Sequence, residues 1–124
     1  MSFALEFPDS EVSDVVADGA TVRVRLAAAC VHDAGGHRGW LPGVTLALAD
    51  ATLAGDPAHA FGRLAVGRLR HDGRDIARPT LPGMLSGDLE LTLRFANGTQ
   101  LTARGRSLSM DVTDATRFKE DLSC

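Results

Sequence analysis

Along most of the chain, apolar side chains recur at every second position, the period of a strand with one buried and one wet face. Val22, Val24 and Leu26 alternate with Arg23 and Arg25. Just upstream, Asp18-Gly19 separates Val12–Val16 from Thr21–Leu26. Asp-Gly is a preferred pair for a two-residue type I′ turn, so a hairpin is predicted there. Val44, Leu46 and Leu48 alternate with Thr45 and Ala47, a strand with room to run on to Leu53 before Gly55-Asp56-Pro57 breaks it. Leu64, Val66 and Leu69 lie among Arg63, Arg68 and Arg70. Gly62 and Gly67 interrupt that run, which in a strand marks a bulge or a close backbone approach. Gly73 to Gly87, with Pro79 and Pro82, reads as a connection or at most an irregular edge strand.

The strongest alternation sets Leu89, Leu91, Leu93 and Phe95 against Glu90, Thr92 and Arg94. Asn97-Gly98, a strong hairpin signal, then leads into Leu101 and Ala103, and Leu108, Met110 and Val112 keep the period. Asp114 is placed to cap a short final helix over Ala115–Leu122, which would depend on docking for its stability. About seven to eight short strands, with no long helical pattern between them, predict one all-β domain over residues 1–124. It would be an antiparallel β-sandwich or a small β-barrel, since both use the same alternation. Arginines alternating with apolar residues read as a solvated outer sheet face.

The 124 residues are 44% hydrophobic, enough for one core that needs neither metal nor disulfide. Sixteen acidic against thirteen basic side chains give a net charge of -3, which argues against a nucleic-acid partner. One Trp, five Phe and no Tyr also leave few groups for base stacking. The longest unbroken apolar run, Leu26–Val31, is far short of the roughly twenty residues of a membrane span, so no membrane association is expected. The N-terminus has no basic head followed by an apolar stretch, and the expected compartment is the cytoplasm. Cys30, among alanines and a valine, reads as a small buried hydrophobe, and it and Cys124 as two reduced thiols.

The most unusual stretch, His32–Gly43, joins two strands through four glycines and holds two of the four histidines and the only tryptophan. Loops carried on a rigid sheet commonly hold binding groups, so His32, Asp33, His37, Arg38 and Trp40 are the candidate ligand-binding residues. His71 and Asp72 are available to complete such a site. The His32–His37 spacing matches no metal motif, and neither a metal nor another cofactor is expected. Surface histidines on a polar loop are the plainer reading, and for Trp40 a lid packed over one end of the fold. Asp72, Asp75, Asp88 and Glu90 include possible paired carboxylates, although most such acids are simply solvated. No serine sits in a Gly-x-Ser-x-Gly elbow, and the glycines form neither a dinucleotide fingerprint nor a Walker loop.

Phe7-Pro8-Asp9-Ser10-Glu11-Val12, then Gly39-Trp40 opening a later strand, and the Leu91–Gly98 hairpin resemble a group of short bacterial β-proteins of unknown function. Their opening often reads Phe-His-Asp-Ser or Phe-His-Asp-Ala, and some are similar to immunity proteins of bacterial toxin systems. Here Pro8 stands where the histidine would be. The resemblance implies an all-β fold and no particular activity. Abundant strand patterning without catalytic signatures points to a non-enzymatic binding or interaction module, whose partner is a protein or a second copy of the chain in a homodimer. The alternative is a small-molecule-binding protein or enzyme with its site in the 32–43 loop.

Overall fold

The computed structural model describes residues 1–121. Their strands are β1 (Phe3–Asp18), β2 (Thr21–His32), β3 (Arg38–Leu41), β4 (Val44–Ala49), β5 (Thr52–Ala54), β6 (Gly62–His71), β7 (Arg74–Ile76), β8 (Thr80–Leu81), β9 (Gly83–Phe95), β10 (Gln100–Val112) and β11 (Lys119–Glu120). Six of them close on themselves in the order β1-β2-β4-β10-β9-β6 and back to β1, an antiparallel barrel. The short strands decorate its outside and ends. Closure follows from long strands bent at irregularities, at Glu6–Glu11 in β1, Leu64–Val66 in β6 and Gly105–Ser107 in β10. Such bulges add the twist that lets a strand turn a barrel corner.

The two-residue rhythm fills the interior. Val22, Val24, Leu26, Leu46, Leu48, Leu91, Leu93, Phe95, Leu108 and Met110 all belong to one buried cluster. The outward positions carry the arginines, paired as Arg68–Asp75, Arg104–Glu90 and Arg25–Asp14. Of the two glycines expected to interrupt β6, Gly67 marks a close approach, whereas Gly62 opens the strand and the register shift falls two residues later. The strand is irregular after Leu64, and at Gly67 an added Cβ would collide with the Phe7 ring. Gly67→Ala is expected to cost about 1–3 kcal/mol of stability through this overpacking, read as a lower denaturation midpoint.

Four expectations need correction. The first hairpin turns on Gly19-Ala20, not on Asp18-Gly19, because Asp18 still pairs with Thr21. Gly19 has φ 58 and Ala20 does not share the positive φ that a type I′ turn needs, so the glycine occupies the first central position as in type II′. β4 stops at Ala49, where Asp50 turns with φ 51, and β5 is a separate strand on β10. The 73–87 segment holds β7, β8 and the start of β9, which begins at Gly83 opposite Met110. The final helix is a single 3-10 turn, Ala115–Arg117, capped by the Asp114 carboxylate on the Thr116 amide, after which the chain extends into β11. Leu122 and Cys124 lie outside the described residues.

Candidate functional site

β1 leaves the sheet and returns to it within a few residues. Glu6 pairs with Cys30 and Glu11 with Ala28, so Phe7, Pro8, Asp9 and Ser10 together face only Ala29 of β2. Phe7 turns into the core and Asp9 takes φ 69 at the crest. Proline suits such an arch because it has no amide to leave unpaired. One hydroxyl bridges the resulting gap: Ser10 Oγ accepts the Cys30 amide at 2.8 Å and donates to the Glu6 carbonyl at 2.7 Å. Ser10 is wholly buried, the only polar residue in that class among those described.

Beside the arch, register assembles a polar cluster on the outer wall. Glu6, Cys30 and Trp40 are successive partners across β1, β2 and β3, and Ala4, His32 and Arg38 form the next row. Glu6 Oε2 therefore meets His32 Nε2 at 3.1 Å, Arg38 Nε at 3.4 Å and the Cys30 thiol at 3.5 Å. Partial burial raises the Glu6 pKa, but hydrogen bonds from His32, Cys30 and Arg38, with the Arg38 charge, outweigh it and hold the carboxyl below its usual value. A carboxyl depressed in the folded state stabilises the fold above its unfolded pKa, and that contribution fades as pH falls through the lower, folded value. Acid titration of wild type against Glu6→Gln is expected to show the added loss only in wild type, below the ordinary carboxylate range.

Carboxylate, imidazole and thiol lie together, yet the arrangement is not that of a nucleophile. The thiol and His32 both bond the same carboxylate oxygen, whereas thiolate formation requires the imidazole to take the thiol proton. Burial pushes the Cys30 pKa up to about 11; the Arg38 charge opposes that push and the Glu6 charge adds to it. At neutral pH Cys30 is a protonated, inaccessible thiol. A disulfide reagent such as Ellman's is expected to leave Cys30 unmodified in the native protein and to react in denaturant. Fast native labelling of Cys30 would contradict this geometry.

Arg38 ties the cluster to the far end of the chain. Besides Glu6 it meets Asp9 at 3.6 Å and Asp121 at 3.1 Å, and its carbonyl accepts the Asp121 amide. Its guanidinium lies 5.6 Å from the Trp40 ring centroid. Behind it, Phe118 tucks against Phe3 and over Gly39, where any side chain would strike the Phe118 ring and the Lys119 carbonyl. The expected loop from His32 to Gly43 is thus split by a strand: His32 ends β2, residues 33–37 form a hairpin tip, β3 carries Arg38–Leu41, and Pro42-Gly43 turn into β4.

The five candidate ligand-binding residues fall into three places. Asp33 and His37 close the hairpin tip on themselves: the Asp33 carboxylate accepts the Gly35 and His37 amides and meets His37 Nδ1 at 3.2 Å. His32 and Arg38 turn to Glu6. Trp40 alone lines a cavity, an open groove of about 510 Å³ shared with Ala28, Pro42, Thr116, Arg117, Phe118 and Lys119. His71 and Asp72 stay on the β6–β7 turn, bonded to the Ser86 carbonyl and the Asp88 amide. Asp75 is neutralised by Arg68 and Glu90 by Arg104, so neither forms a carboxylate pair. No cluster of His, Cys, Asp and Glu among the described residues is arranged to hold a metal ion. Nor is any described helix long and apolar enough to cross a membrane. Sequence reasoning missed Glu6, Ser10, Asp9 and Asp121, whose partners lie up to 83 residues away and are brought close only by register.

Comparison with protein-family models, curated proteins and solved structures finds no match.

Proposed function

We propose that this chain is a protein-binding module that docks its partner on the outer face of β2, β3 and β11, with Trp40 as the central contact. The supporting observation is the groove itself: an indole, a proline and an alanine at its base, and two cations on its rim. Tryptophan at the centre of such a surface is a common anchor. The neighbouring polar cluster serves this face as a brace. Glu6, Arg38 and Asp121 fasten β1, β3 and the residue that follows β11 together, with three groups meeting on the one oxygen Oε2 of Glu6. The free sheet edges compete poorly as docking sites, because β5, β7, β8 and β11 are each two or three residues long.

The test places a photo-crosslinking side chain at Pro42 or, on the opposite wall, at Arg94. Discrete adducts from position 42 alone, lost in Trp40→Ala and identified by mass as a second copy or another protein, support the reading. Equal adducts from both positions, or none, defeat it.

A further inference from the structure

Resting on that docking face, we infer that its partner presents an acidic polypeptide segment: an apolar side chain seated on Trp40 and Pro42, flanked by carboxylates that reach Arg117 and Lys119. Charge is the deciding observation. The chain as a whole is acidic, at -3, yet the charged residues lining this groove are both cations. Neither Arg117 nor Lys119 forms a salt bridge with a described residue, whereas six of the other eleven arginines do, Arg25, Arg38, Arg63, Arg68, Arg70 and Arg104. The nearest acid on the same turn, Asp114, is committed to the Thr116 amide and hydroxyl at 3.0 and 2.6 Å, and it feels Arg117 only as a neighbouring charge. Glu120, next along β11, lies 3.9 Å from His37 at the hairpin tip.

Register explains why these cations belong to the groove. Lys119 pairs with Trp40 across β3 and β11, so its stem leaves the sheet beside the indole. Arg117 ends the 3-10 turn that forms the opposite wall. Arg38, on the other side of the indole, is held by Glu6, Asp9 and Asp121 and stays part of the brace. An apolar floor whose marginal cations form no salt bridge with a described residue discriminates against basic or neutral segments, since those would leave the cations uncompensated next to a desolvated contact.

The experiment pans a random dodecapeptide phage library on the full chain and follows synthetic copies of the enriched peptides by emission of Trp40, the only tryptophan. The inference predicts peptides with acidic residues beside an aromatic or aliphatic one and a saturable change in Trp40 emission. It further predicts affinity lowered about tenfold by Arg117→Glu with Lys119→Glu and lowered by added salt. Both positions are exposed, so the double variant should keep the wild-type melting temperature, which is checked alongside. Peptides that shift Trp40 emission but lack acidic residues, or bind the double variant equally well, would overturn the inference and leave the docking face standing. If no peptide perturbs Trp40, both fall.

Discussion

Phe95→Ala is expected to lower the unfolding free energy by about 3–5 kcal/mol, a large part of the stability of a domain this size. Phe95 is 2% exposed and ends the longest run of alternation in the chain, with Leu64 of β6 as its partner across the wall. Its amide bonds the Thr99 carbonyl and its carbonyl accepts the Gly98 amide, so backbone and ring fix the hairpin together. Removing the ring leaves a cavity that two bonded strands cannot collapse to fill. Chemical denaturation should show a lower midpoint at unchanged slope. Arg94→Ala, one residue away and facing out, should stay within about 0.5 kcal/mol. A Phe95→Ala loss no larger than that would mean the barrel is not packed as described.

Ser10→Ala is expected to cost about 2–4 kcal/mol although it deletes one oxygen, because it strands two backbone groups at once. The Cys30 amide and the Glu6 carbonyl both depend on that hydroxyl across the arch. Buried backbone groups without partners are rarely tolerated, so the arch should open locally, and hydrogen exchange at the Cys30 amide should lose its protection. Ser13→Ala supplies the comparison. Its hydroxyl also bonds a backbone carbonyl, Arg25 at 3.2 Å, but at an exposed position, and the change should be near neutral.

These two residues also mark what can and cannot be read from the chain. Phe95, Leu46 and Leu108 follow a rhythm that depends only on near neighbours, so their burial was legible without coordinates, as were the Asn97-Gly98 hairpin and the Gly67 contact. The choice of barrel over sandwich was not, because closure rests on β1 pairing with both β2 and β6, and alternation is the same in either case. At the arch the rhythm fails locally: a serine hydroxyl stands in for backbone, and no propensity signals it. The polar cluster was half legible. His32 and Arg38 were visible as unusual residues, but Glu6 carries no signal of its own and only register sets it against them. The 32–43 segment misled for a related reason. Its glycines suggest a loose loop, whereas Gly39 is required by the Phe118 ring that packs where its side chain would be.

The central claim is that Trp40 serves recognition and the Glu6–Arg38 cluster serves the fold. One comparison separates these roles: thermal stability and peptide binding measured side by side on Trp40→Ala and Glu6→Ala. The account predicts that Trp40→Ala, at a half-buried position, loses about 1–2 kcal/mol of stability and nearly all binding, while Glu6→Ala loses stability and still binds when folded. The opposite pattern, binding kept without the indole and lost without the carboxylate, would contradict it.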